Sequence, residues 1–188
     1  MCGIVGLFLK DPKLEPRLGA MLTDMLITMT DRGPDSAGIA IYGRHHDGMA
    51  KLTVQSPDPM NDFKGLVEDL GAAIAASVTG VIKDTHIVLD LPLNRLDAAR
   101  EAITTLRPNA TVMSAGEGIE IYKEVGLPKD VAARFDVARM SGTHGIGHTR
   151  MATESAVTTQ GAHPFSTGSD QCLVHNGSLS NHNSVRRV

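Results

Sequence analysis

Met1-Cys2-Gly3-Ile4-Val5-Gly6-Leu7-Phe8-Leu9 opens the chain. Residues 3–9 are an unbroken apolar run, the pattern of a buried strand, and it begins one residue after a cysteine. A small side chain at position two permits removal of the initiator Met, which leaves Cys2 as the first residue. Its free α-amino group, with a reference pKa of about 7.7–8.0, can then act as base for its own thiol without a histidine. With Met1 in place, an inactive arrangement around Cys2 is expected. The plain alternative is a small hydrophobe capping a strand. Gly3 and the immediate strand weigh against that alternative, because they present the terminus on a rigid edge.

Working outward, residues 14–30 place Leu18, Met21, Leu22, Met25, Leu26 and Met29 at the spacing of an amphipathic helix. Gly33-Pro34-Asp35 breaks it. Residues 38–42 predict a second strand, and a hairpin turn at Asp47-Gly48 leads into 49–54. The middle alternates. Residues 58–78 read as helical, with Phe63, Leu66, Val67, Leu70 and Ile74 on one face. A buried-type strand follows at 85–91, Asn94 caps a helix to Leu106, and a strand covers 111–113. Residues 119–122 are short and apolar, and 129–135 are helical. This alternation predicts an inserted α/β subdomain over about 56–138. Strand character returns at 145–149 and 171–175, each stretch ending on polar residues.

Composition sets the outer limits. Of the 188 residues 41% are hydrophobic, enough for a globular core, and the formal charge is −3. That charge makes no electrostatic case for nucleic acid or an anionic membrane. Tryptophan is absent and aromatics are 3%, which removes base-stacking platforms. Apolar runs are too short to span a bilayer, and the N-terminus lacks a signal peptide's basic lead-in. Two cysteines, Cys2 and Cys172, do not make a disulfide framework, so the cytoplasm is the default location.

Three polar clusters carry the chemistry. His175-Asn176-Gly177 follows a strand; an Asn side-chain amide and a Gly N–H are a ready pair of oxyanion donors. Taken alone, an ordinary Asn-Gly turn is the better reading. Arg150 ends the 145–149 strand ahead of Thr153, and a guanidinium fork suits an amino acid's carboxylate. Taken alone, a surface arginine is the better reading. Arg32-Gly33-Pro34-Asp35-Ser36 forms a polar turn that could brace the site through an Arg–Asp pair. The eight histidines form no convincing metal site; His144 and His148 are spaced i, i+4 in a strand-like stretch, where no helical face is shared. No cofactor is expected.

These pieces, in order, resemble the class II glutamine amidotransferases. Met1-Cys2-Gly3-Ile4-Val5-Gly6 is similar to their N-terminus. Arg32-Gly33-Pro34-Asp35-Ser36-Ala37-Gly38 resembles their Arg-Gly-x-Asp-Ser-x-Gly loop. Gly147-His148-Thr149-Arg150-Met151-Ala152-Thr153, Ala162-His163-Pro164-Phe165 and His175-Asn176-Gly177-Ser178-Leu179-Ser180-Asn181 match the later motifs. The likeness covers the two ends and hardly the middle. It implies an α+β N-terminal nucleophile hydrolase fold, a four-layer αββα sandwich. By position it implies Cys2 as nucleophile and Asn176 and Gly177 as oxyanion hole. Arg150 would bind the glutamine carboxylate, Thr153 and His163 would line the pocket, and Arg32 and Asp35 would hold the adjacent loop. The long insertion and the Ala-His-Pro-Phe wording look most like stand-alone subunits related to glutamate synthase and N-methylglutamate synthase. That implies a synthase partner subunit accepting ammonia, and an oligomer is compatible with it.

Two departures stand out. Glu154 replaces the His or Gly of several relatives. The acid that holds the glutamine ammonium in the resembling family falls beyond Val188, as do the sandwich's later strands. The expectation is a partial amidotransferase domain over 1–188 that belongs to a longer protein or is completed by another chain. Competing readings are a glutamine-binding or scaffolding module without catalysis, and an acylase of the same fold with a different amide.

Overall fold

The computed structural model describes residues 1–44, 46–152 and 156–177. Its first sheet runs β1 (Gly3–Phe8), β8 (His144–Arg150), β2 (Ser36–Tyr42), β7 (Ile119–Val125). The second runs β4 (Thr79–Lys83), β5 (His86–Pro92), β3 (Met49–Gln55), β6 (Thr111–Gly116). All pairings in both are antiparallel. A short hairpin of β9 (Phe165–Gly168) and β10 (Gln171–Leu173) completes the described strands.

Side-chain alternation along β2 separates two cores. Ala37, Ile39 and Ile41 join Leu18, Leu22 and Leu26 of α1 (Leu18–Thr28), together with Val131 and Ala132 of α5 (Pro128–Arg134). Ala40 turns the other way, to Met113, Ile119 and Ile121 between the sheets. The α1 leucines recur every four residues and are fully buried, each contributing about 1.5–3 kcal/mol. β8 lets that helix approach because Gly145 and Gly147 face it. A Cβ on Gly147 would lie 2.8 Å from Leu26 Cδ1.

The second sheet repeats the scheme. Leu52, Val54, Leu89 and Leu91 meet Leu66 and Leu70 of α3 (Leu66–Ile74) and Ile103 of α4 (Leu96–Leu106). Lys51, on the opposite side of β3, reaches across to Glu120 of β7. Helices thus cover the outer faces of two antiparallel sheets, an arrangement compatible with an α+β sandwich. Among the described residues no helix is long and apolar enough to cross a membrane.

Several local expectations are corrected. No hairpin forms at Asp47-Gly48: Gly48 does turn, with φ +75°, but β2 and β3 lie in different sheets. Both edges of β2 are taken by β7 and β8, so β3 has no edge there to join. The helix expected over 58–78 is two: α2 (Pro59–Asp62) and α3, separated at Gly65, whose φ is +69°. Its tail, 75–78, is a turn and loop leading into β4, which pairs with β5. Asn94 does not cap α4; it sits in a 3-10 turn, Leu93–Arg95, and the cap residue is Arg95 with no side-chain bond. The strand expected over 171–175 ends at Leu173, which leaves His175 in a loop. β7 and α5 return to the first sheet's core, while β3, which precedes residue 56, lies inside the second sheet.

Candidate active site

The site gathers at one end of the first sheet, where β1 begins and β8 finishes. Antiparallel register sets Gly3 opposite Thr149 and Ser36 opposite Arg150. The start of β1, the turn before β2 and the exit of β8 are therefore neighbours, although the exit of β8 lies more than a hundred residues beyond the other two in sequence.

Cys2 is partly exposed just ahead of β1. The Asn176 side chain comes to it from the far end of the chain, its Nδ2 donating to the Cys2 carbonyl at 2.9 Å. Gly177 follows directly, with His175 Nε2 3.1 Å from where a Cβ would stand. The Cys2 thiol points to the Met151 carbonyl at 3.9 Å, and the Met1 amino group lies 3.2 Å from Met151 Sδ.

Asp35 ties the turn before β2 to the exit of β8. Its N–H donates to the Arg150 carbonyl at 3.1 Å, and its Oδ2 accepts from Ala152 N–H at 2.7 Å. Arg32 does not join it. The guanidinium is exposed, and among the described residues no Arg32–Asp35 ion pair forms. Arg150 is 9% exposed, and its Nη1 donates to the Ala156 carbonyl at 3.2 Å. Gly161 borders the same guanidinium, 3.2 Å from its would-be Cβ. Thr153 and Glu154 lie outside the described residues, as do 178–181 of the last motif.

His163 brings a second histidine into play. Its ring lies 4.3 Å from that of His148 and 4.5 Å from Phe165, edge-on to the latter. His148 is fully buried, and its Nε2 meets the His175 carbonyl at 3.0 Å, so Nε2 carries the proton. Burial, only partly offset by that bond, pulls the His148 pKa down. Burial, followed by the charges of His148 and Lys123, pulls His163 to about 4. Both rings are therefore neutral at pH 7. Their Nδ1 atoms have no hydrogen-bond partner among the described residues.

Sequence reasoning missed two members of this neighbourhood. His148 stands out in the sequence only as a metal-ligand candidate, whereas in β8 it is fully buried between Gly147 and Thr149. Lys123 was not singled out, and lysine in a strand gives no sequence signal of burial. Among the described residues no group of three His, Cys, Asp or Glu could hold a metal ion.

No family model matches the chain. It is 65% identical over all 188 of its residues to the glutamine amidotransferase-like protein GlxB of Rhizobium meliloti (strain 1021), spanning 62% of that protein. It is 33% identical over 201 residues, 99% of this chain and 64% of the relative, to a putative glutamine amidotransferase of Methanothermobacter thermautotrophicus. Over 80 residues, 40% of this chain, it is 41% identical to a glutamine–fructose-6-phosphate aminotransferase (isomerizing) of Methanosarcina acetivorans, covering 12% of that enzyme. The chain thus spans less than two thirds of the curated relatives it matches along its whole length. Its similarity to the glutamine amidotransferase-like protein GlxB runs over all 188 of its residues.

Proposed function

We propose that this chain carries the glutaminase half-reaction of a class II amidotransferase, on an N-terminal nucleophile hydrolase sandwich of which 1–188 is part. The observation that carries the reading is the meeting of Cys2 and Asn176 across 174 positions, through a 2.9 Å hydrogen bond. Once Met1 is removed, the α-amino group of Cys2 takes the thiol proton. The sulfur attacks the side-chain carbonyl carbon of glutamine. Asn176 Nδ2 and the Gly177 N–H receive the oxyanion. The tetrahedral intermediate expels ammonia, with the proton returned to the leaving nitrogen, and a thioester remains. Water then attacks the thioester, releasing glutamate and restoring the thiol. Arg150 binds the glutamine carboxylate, His163 and Thr153 line the pocket, and Asp35 and Arg32 hold the adjoining turn. The ammonia passes to a partner synthase subunit of the kind found with glutamate synthase or N-methylglutamate synthase.

The test is glutamate release from glutamine, with an alkylating diazoketone analogue of glutamine as probe and intact mass as readout. Turnover is expected only from molecules that have lost Met1, with the label on Cys2. Full activity with Met1 retained, or label on Cys172, would overturn the mechanism. Binding of glutamine without turnover by the Met1-free chain would favour a glutamine-binding module instead.

A further inference from the structure

Lys123 lies on β7, the edge strand of the first sheet, and is 4% exposed. Among the described residues no carboxylate pairs with it. Its Nζ instead donates to the carbonyls of Ala162 at 2.8 Å and Gln160 at 3.3 Å. It also stands 4.4 Å from the centroid of the Phe165 ring. A buried ammonium is costly unless neighbouring acceptors replace its water. Burial pulls its pKa to about 8, so it remains mainly charged at neutral pH. Two inward-pointing carbonyls and an aromatic face thus stand in for a carboxylate.

What it gathers is a tight turn. Ala162 N–H donates to the Thr158 carbonyl, Gly161 N–H donates to Thr158 Oγ1, and the Gln160 amide reaches Gln55 on β3. The next residue is His163. Its carbonyl presses on Gly38, where a Cβ would lie 2.1 Å away, and its ring leans on His148. The turn also borders Arg150 through Gly161. Replacing the ammonium by an apolar group would leave the buried Ala162 carbonyl, and the less buried Gln160 carbonyl beside it, without this donor, and the turn would have to open to bring water to Ala162.

We infer that Lys123 is a positioning residue for the substrate pocket: by drawing the Gln160 and Ala162 carbonyls and the Phe165 ring onto one ammonium, it sets His163 against His148 beside Arg150. This rests on the glutaminase reading for its kinetic consequence, but not for its structural one. Lys123 touches neither the nucleophile nor the oxyanion donors, so its loss belongs in substrate capture and not in the chemical step.

The experiment compares Lys123→Met and Lys123→Gln with the parent chain, each freed of Met1. The readouts are KM and kcat for glutamine, amide hydrogen exchange over residues 156–165, and the NMR titration of His163. In the Met variant KM should rise about tenfold with kcat nearly unchanged, the loss expected for one charge-assisted contact. Exchange at the Ala162 amide should quicken by about the same factor while β1 and β8 stay protected. The His163 pKa should rise, since one of the cations holding it down is gone. The Gln variant keeps a donor and should recover part of each effect. An unchanged KM and unchanged exchange would overturn the inference. So would equal losses in KM and kcat with exchange raised throughout the chain, because that marks a merely structural lysine. Should the Met variant fail to fold, the same readouts on the Gln variant decide. Should the parent not hydrolyse glutamine, the glutaminase reading fails while exchange and titration still judge the role of Lys123 at the turn.

Discussion

Asn176 has two N–H groups on one nitrogen, and only one is committed to the Cys2 carbonyl. The committed bond holds the amide beside Cys2, and in the proposed mechanism the other N–H serves the oxygen that becomes charged during attack. Asn176→Ala is therefore expected to lower kcat by about 10²–10³ with KM little altered, because the donor acts mainly on the transition state. Steady-state kinetics on glutamine checks this, and an unchanged kcat would take Asn176 out of the mechanism. The other thiol is chemically different. Burial raises the Cys172 pKa, and the Tyr42 hydroxyl contacts its sulfur at 3.4 Å. Thiolate is what reacts, so Cys172→Ala should leave turnover near the parent's value, whereas Cys2→Ala should abolish it. At this scale the sequence declares much. A cysteine after Met1 and an Asn-Gly near a strand end are conspicuous by type, and the structure brings Cys2 and Asn176 together. Lys123, between Tyr122 and Glu124, announces nothing, since only the turn above it makes an inward lysine tolerable.

The elements that were legible are those whose pattern is set by their own neighbours. β1 is a continuous apolar run, and α1 shows its leucines every four residues. Both lie where the sequence placed them, although the first turns of the expected helix are the 3-10 segment Pro12–Arg17. What escaped depends on partners distant in sequence. A turn at Gly48 says that the chain bends, not which sheet receives the next strand. β4 and β9 are short and largely exposed, with little apolar alternation to betray them. The packing between elements also explains why small residues recur on β2. A Cβ at Gly38 would fall 2.1 Å from the His163 carbonyl and 2.6 Å from Lys123 Cβ. Gly38→Ala must push the 158–164 turn away from the sheet, an overpacking cost of about 1–3 kcal/mol. Urea unfolding should show that loss together with a raised KM for glutamine. A variant of parental stability and KM would mean that the turn is not pressed against β2.

At the scale of the whole molecule the interior histidines set the response to acid. His86 is fully buried on β5, its ring 4.8 Å from Phe135 and 5.8 Å from Tyr122. Burial, then the charges of Lys123 and Arg134, pulls its pKa to about 3. His163 lies at about 4. Above pH 6.5 both are neutral in folded and unfolded chains. As the pH falls from 6.5 toward 4, the unfolded chain takes up protons that the folded one refuses, so stability falls. The slope is at most about 1.4 kcal/mol per pH unit for His86, and less for the more exposed His163. His86→Phe should flatten the fall in the urea midpoint between pH 6.5 and 4; an unaltered slope would clear His86 of the effect. The layering of the fold could be foreseen only as a resemblance, because which sheet each strand enters is decided by pairings dozens of residues apart. One such crossing is the turn from β6 to β7, where the chain leaves the second sheet for the first. There the Asp170 carboxylate, in the β9–β10 turn, accepts from the N–H groups of Glu117 at 2.7 Å, Gly118 at 2.8 Å and Ile119 at 3.0 Å. From that rivet the chain runs only six residues to Asn176. The Asp170 carboxylate thus ties the crossing between the sheets to the segment that carries the amide beside Cys2, and a tilt of one layer against the other would be passed along it as a displacement of Asn176 from the thiol.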